Sequence, residues 1–148
     1  MEESLAILSQ AARQWGIELT SSDHQLIKEY AQGVLNYNRS VNLTAETDIS
    51  QVLLRHIADG LAAVPVLRER LKNTAPRICD VGTGAGFIGM PIKIAWPQAE
   101  VTLMEPLDRK FKFLNLAAAR SGLKGLKVLK KRAGQDSPSR RAGSVSAA

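Results

Sequence analysis

The strongest constraint on this chain is a short strand that runs straight into glycines. Arg77-Ile78-Cys79-Asp80-Val81 reads as the strand, and Gly82-Thr83-Gly84-Ala85-Gly86 follows without a spacer. Phe87 to Trp96 then reads as a helix closed by Pro97. A glycine turn between a parallel strand and a helix brings backbone N–H groups close to a ligand, where side chains would block the approach. In open α/β sheets this carboxyl end of the strands is where ligands bind. A tight turn with no ligand would satisfy the same residues.

The pattern continues in the same style. Glu100 to Glu105 is a second strand, and Asp108 to Ser121 a second helix with Phe111, Leu114, Ala117 and Ala118 inward and Gly122 as its stop. Leu126 to Leu129 is a third strand. Strand–helix–strand–helix–strand implies parallel pairing. Residues 1–76 read as a helical segment. Leu5, Leu8, Ala12 and Trp15 mark a first helix stopped by Gly16, and Ser22 precedes a second that carries Leu26, Ile27, Tyr30, Val34, Leu35 and Tyr37. A third runs from about Ser50 to Leu67, with Val52, Leu53, His56, Ile57, Leu61 and Val64 on its apolar side. From Gly134 to Ala148 the chain is mostly Ser, Ala, Gly, Arg and Pro with a single Val and no period, which predicts disorder. The expected organisation is therefore 1–76, 77–133 and 134–148.

Hydrophobic residues make up 45% of 148, enough for one packed core. No run approaches the ~20 apolar residues of a membrane span. Met1-Glu2-Glu3-Ser4 lacks a secretory core, and the single Cys79 cannot form an internal disulfide. These features favour a cytoplasmic protein without a membrane partner. Charge is uneven: residues 1–76 hold 7 Lys/Arg against 9 Asp/Glu, residues 77–148 hold 13 against 5. A basic second half suits a polyanion such as RNA, and equally a solvated basic surface.

The glycines fit two registers. Gly82-x-Gly84-x-Gly86 behind Asp80 is the form that binds S-adenosylmethionine; Gly84-x-Gly86-x-x-Gly89 is the dinucleotide form. The strand ends at Val81, so the first turn glycine is Gly82, and Asp80 can hold the ammonium of a methionine moiety, directly or through water. An anionic pyrophosphate gains nothing from that acid. Glu105, closing the second strand, stands where both cofactor classes place an acid for ribose hydroxyls. It could also be a solvated strand-end acid. Phe87 could line the cofactor pocket or belong to the core.

Further segments carry a resemblance: Tyr37-Asn38-Arg39-Ser40-Val41-Asn42-Leu43-Thr44, Leu54-Arg55-His56-Ile57-Ala58-Asp59, Asp80 to Pro91, Arg109-Lys110-Phe111-Lys112-Phe113-Leu114 and Lys131-Arg132-Ala133. In their order and spacing these resemble the bacterial 16S ribosomal RNA guanine-N7 methyltransferase family, also called glucose-inhibited division protein B. The resemblance covers about residues 1–133. It implies an α/β, Rossmann-like, S-adenosylmethionine-dependent methyltransferase fold, here with an incomplete parallel sheet, behind an N-terminal helical segment. It implies methyl transfer to N7 of a guanine in 16S rRNA of the small ribosomal subunit precursor, by a monomer in the intact family. By position, Gly82 and Phe87 would contact the cofactor, and Ala133 and Gly134 fall where the family places backbone or acidic contacts to it. The family's acid is replaced by Gly134, and its usual Pro by Ile88. A small residue, often Ser, is usual where Gly60 and Pro106 stand, and Lys where Arg109 stands. The resemblance is expected to stop at Ala133, so the tail looks like out-of-frame translation or a truncated gene. Family-like sequence in another frame downstream would support that reading.

Guanine N7 carries a lone pair and no proton, so the transfer needs positioning rather than a general base, and no catalytic acid–base pair or metal site is assigned. His56 reads as a structural residue paired with Asp59, and Asn38 and Asn42 as loop caps. Arg109, Lys110 and Arg132, with Lys112, Lys130 and Lys131, are the candidate phosphate contacts or plain surface charge. The first strand, central in the intact family, would expose an apolar edge in this chain. We therefore expect poor stability, aggregation or pairing with another chain. Urea unfolding as an ordinary cooperative monomer would contradict that.

Overall fold

Apolar residues at helical spacing build the first layer. The computed structural model describes residues 1–134 and 146–147. Helix α1 (Glu2–Gln14) buries Leu5, Leu8 and Ala12. Helix α2 (Ser21–Asn38) begins two residues earlier than Ser22 suggests, because Thr20 caps it. Thr20 Oγ1 accepts the Asp23 N–H at 3.1 Å, and Asp23 Oδ2 accepts the Thr20 N–H at 2.8 Å. This reciprocal capping box satisfies donors that the helix start leaves open. The third helix is longer than expected and not uniform. A short α3 (Ile49–Gln51) leads into a π-helical turn over Val52–Ile57 and then into α4 (Ala58–Leu71).

The second half has the expected α/β order: β1 (Arg77–Val81), α5 (Gly89–Ala95), β2 (Glu100–Met104), α6 (Asp108–Ser121) and β3 (Leu126–Leu129). The strands pair in parallel in the order β3-β2-β1, with Ile78 opposite Val101 and Val101 opposite Leu126. This is a Rossmann-like half-sheet, with its crossovers made by α5 and α6. A two-residue strand β4 (Ser146–Ala147) pairs in parallel with Cys79 and Asp80 on the other side of β1. Most of the segment expected to be disordered, residues 135–145 and 148, lies outside the described residues. At Ser146 and Ala147 the backbone instead forms a strand. The physical reason is the edge of β1, whose free N–H and C=O groups are a template for one more strand.

Alternation along the strands sorts the two faces of the sheet. Ile78, Asp80, Val101 and Leu103 face α5 and are all buried. Helix α5 packs in turn on α4 and α2, and α6 on α2 and β3. The buried face of α6 is Phe113 and Leu114; Phe111, expected inward, is only partly buried. Phe113 meets Tyr30 and Tyr37 of α2, with ring centroids 6.5 and 5.3 Å away. Lys93 is 2% exposed, and its Nζ donates to the carbonyls of Pro97 at 2.7 Å and Ala99 at 2.6 Å. It thereby ties the end of α5 to the start of β2.

Helix α5 lies so close to the sheet that its first residue must be glycine. A Cβ on Gly89 would stand 2.2 Å from Leu103 Cδ2 and 3.1 Å from Asp80 Oδ2. Gly89→Ala should therefore cost about 1–3 kcal/mol through overpacking. It would be read as a lower urea midpoint at unchanged slope. A wild-type midpoint would mean that α5 can withdraw from β1 at no cost.

Candidate functional site

The site is built on the turn after β1. Backbone φ is +67° at Gly82 and +61° at Gly84, a region that L side chains avoid. The turn thus begins at Gly82, as the strand boundary predicts. The N–H groups of Gly82 and Thr83 both bond the Met104 carbonyl, at 2.9 and 3.1 Å, so the loop hangs from the end of β2. The three turn glycines are not equivalent. A Cβ on Gly82 or Gly84 would meet nothing within 4 Å, so these two form an open lip. A Cβ on Gly86 would press on Leu114 at 3.0 Å and Met90 at 3.1 Å. Gly86 therefore faces the core.

Asp80 is the brace of the loop. It is buried, and its Oδ2 accepts Thr83 Oγ1 at 2.5 Å and the Gly89 N–H at 3.0 Å. Burial pushes its carboxyl above the ordinary aspartate range, and these two bonds pull the other way. The oxygen that could greet an ammonium group is, for Oδ2, already engaged inside the loop. Tyr30 of α2 supports the loop from behind, donating from its hydroxyl to the Ala85 carbonyl at 2.6 Å. Burial, helped by Asp80, holds that phenol well above its ordinary pKa, so it stays a donor. Nothing in the sequence marked Tyr30 beyond its place on an apolar helix face.

Glu105 sits at the end of β2, where its N–H bonds the Leu129 carbonyl at 3.0 Å. The residue is 4% exposed, and the Gly84 backbone N–H works against the effect of burial on its carboxyl pKa. Its Oε2 has no partner, and it is the one buried side-chain oxygen or nitrogen of that kind among the described residues. A buried acceptor left unpaired costs free energy until a donor arrives. Burial raises the carboxyl pKa, Lys110 and Arg132 lower it, and Asp80 raises it.

Lys110 and Arg132, expected to meet RNA, thus act electrostatically on the acid of the site. Arg109 is exposed at the start of α6. Lys112 and Lys130 both pair with Asp108 at 3.0 Å. Ala133 and Gly134 lie exposed in the turn after β3, directly beyond Arg132.

Phe87 leaves the loop half-buried and stacked on His56. The expected pairing of His56 with Asp59 is not formed: its Nε2 lies 3.6 Å from Glu46 Oε1 and 3.4 Å from Thr44 Oγ1. Residues three apart share a face in an α-helix but not in the i→i+5 turn that holds His56. Asn38 does cap a loop: its Oδ1 accepts from Leu43 and Thr44 N–H at 2.8 and 3.0 Å, and its Nδ2 donates to the Thr44 carbonyl at 3.0 Å. Asn42 is exposed and makes no such bond among the described residues. A cavity of about 800 Å³ lies behind the loop between α2 and α6, walled by Leu26, Tyr30, Met90 and Phe113. No described helix is long and apolar enough to cross a membrane.

A family model described as GidB, rRNA small subunit methyltransferase G, matches residues 23–146, a span that runs past Ala133. The ribosomal RNA small subunit methyltransferase G of Streptococcus thermophilus is 37% identical over 129 residues, covering 85% of this chain and 54% of that protein. Its counterpart in Streptococcus suis is 38% identical over 111 residues, covering 75% and 46%. The chain spans about half the length of these curated relatives. Among solved structures, a coclaurine N-methyltransferase bound to N-methylheliamine and SAH aligns with a TM-score of 0.49 at 14% identity, over 90% of this chain and 44% of that one. A protein-L-isoaspartate O-methyltransferase from Plasmodium falciparum, in complex with S-adenosyl-L-homocysteine, aligns with a TM-score of 0.42 at 15% identity, over 69% and 63%.

The burial of Glu105 has a measurable sign. Its raised folded pKa means that the folded state binds more protons than the unfolded chain just above the ordinary glutamate value. Its contribution to stability is therefore present at acid pH and lost as pH rises through the folded pKa. In urea unfolding without ligand, Glu105→Gln should lose this acid-side gain relative to wild type. Parallel pH profiles of the two proteins would show that the carboxylate is well solvated.

Proposed function

This chain belongs to the rRNA small subunit methyltransferase G family, and on that premise we propose that its glycine loop binds S-adenosylmethionine for methyl transfer to N7 of a guanine in 16S rRNA, in the cytoplasm. The observation that carries the reading is the buried, unpaired Oε2 of Glu105 beside the open lip of Gly82 and Gly84. A ribose diol supplies the hydroxyl donor that this oxygen lacks. The lip gives room for the methionine end of a ligand to pass close to the backbone. Two structural facts thus fit the group: an orphaned acceptor and a space that a Cβ would fill.

Each residue then has a role. Glu105 accepts from the ribose hydroxyls. Asp80 fixes the loop's shape through Thr83 and Gly89 and adds negative charge beneath the ammonium. Phe87 walls the site, and Ala133 and Gly134 close it beyond β3. Arg109, Lys110 and Arg132 meet RNA phosphates, and the last two also temper the charge on Glu105. When bound, S-adenosylmethionine would supply an electrophilic methyl carbon on its sulfonium: the guanine N7 lone pair bonds to that carbon, the C–S bond breaks, and S-adenosylhomocysteine leaves. The protein's own contribution is to hold the two reactants in register and dry, worth at best ~7–11 kcal/mol of barrier. A second reading is a cofactor-binding unit without transfer, which the open lip and the unpaired Glu105 oxygen would serve equally. The dinucleotide reading is disfavoured because the turn begins at Gly82.

Calorimetry with S-adenosylhomocysteine should show one site. Glu105→Ala should weaken it about 10- to 100-fold, the value of hydrogen bonds to a charged group. Appearance of 7-methylguanosine in 16S rRNA on expression supports transfer; binding without it supports the second reading. No binding of S-adenosylhomocysteine removes both.

A further inference from the structure

We propose that His56 is a positioning residue for the cofactor, acting through Phe87. The inference deepens the reading of the glycine loop as an S-adenosylmethionine site and rests on it. The imidazole lies flat on the Phe87 ring, with centroids 4.2 Å apart and planes 8° apart. Neither ring can rotate away without losing that shared face. Tyr30 meets Phe87 edge-on at 6.4 Å. The first side chain after the loop is therefore oriented from two directions, and both come from the N-terminal helices.

His56 is itself tethered. Its Nε2 lies 3.4 Å from Thr44 Oγ1 and 3.6 Å from Glu46 Oε1. The Glu46 N–H donates to Thr44 Oγ1 at 3.2 Å, and Arg55 Nη1 to Glu46 Oε1 at 3.0 Å. Asn38 holds Thr44 through its backbone. A path of direct contacts thus runs from the end of α2 to the ring of Phe87. The π-helical turn carries His56 at its C-terminal part and delivers Gly60 one turn later. There the two backbones are nearly in contact: a Cβ on Gly60 would stand 2.5 Å from the Phe87 carbonyl oxygen and 2.8 Å from Pro91 Cγ.

The side chain of His56 keeps 31% of its surface exposed. Filling space would call for an aliphatic residue, fully buried. A half-exposed polar ring, tethered at one nitrogen and flat against an aromatic neighbour, sets an orientation instead. Irregular π turns are frequent at functional sites for the same reason: they re-aim one side chain.

Calorimetry of the full chain with S-adenosylhomocysteine, paired with amide exchange of the unliganded protein at Gly84 and Gly86, tests the proposal. His56→Ala should weaken binding roughly three- to tenfold, the range of a lost aromatic stack, and speed exchange in the loop. His56→Phe keeps a flat ring and should restore both. In a Phe87→Leu background His56→Ala should have no further effect, because the path is already cut. If His56→Ala does not fold, His56→Gln, which keeps a polar group near Glu46 without a ring, replaces it. Wild-type affinity in the ring-less variant, failure of His56→Phe to rescue, or additive effects in the double variant overturns the proposal. If the wild-type chain binds no S-adenosylhomocysteine, the cofactor reading fails separately. Loop exchange then decides, and unchanged rates in the ring-less variant overturn the role of His56.

Discussion

Asp80 places a carboxylate where the protein has almost no water, beneath α5 and against Leu103. Burying that group is costly unless donors surround it. The donors are the Thr83 hydroxyl, inside the loop, and the Gly89 N–H, at the start of the next helix. Satisfying one side chain therefore fixes three things together: where β1 ends, how the glycine turn bends, and how near α5 comes to the sheet. The remaining parts of the site inherit their places from this knot. Gly82 and Thr83 reach back to Met104, the residue before Glu105. The acid at the end of β2 is thus tied to the turn at the end of β1.

The loop has a front and a back. Its front, at Gly82 and Gly84, is open. Its back is packed by the helices that precede the sheet in sequence: Tyr30 on the Ala85 carbonyl, Gly60 on the Phe87 carbonyl, His56 on the Phe87 ring. The N-terminal helical layer thus supplies the packing behind the loop. The span matched by the family model starts within α2 and takes in both layers.

Much of this was legible in the residues. The bounds of β1, α6 and β3 follow from Pro76, Gly82, Gly122 and the apolar runs between them, because glycine and proline act on the backbone locally. The turn register followed from the same cue. Less was legible where tertiary contact decides. The choice of Phe113 over Phe111 as the buried ring depends on Tyr30 and Tyr37, which lie about 80 residues earlier and lend α6 its inner face. The partner of His56 depended on a π turn that no local preference announces. The bonds that Thr83 and Gly89 make to Asp80 Oδ2 were likewise not read from the residues. Glu105 was placed by position alone; that one of its oxygens is buried and unpaired is a property of three dimensions.

The contact between Gly60 and the Phe87 carbonyl links two positions that are remote in sequence. There is no slack between them, so a methyl group gained at 60 must be matched by a displacement of the loop, and with it of the ring at 87. Because the contact is with a backbone oxygen, no change of side chain at 87 makes room; the room must come from movement of the loop or of Pro91. A single methyl at 60 would thus reset the loop from behind, through its backbone and away from the open lip of Gly82 and Gly84.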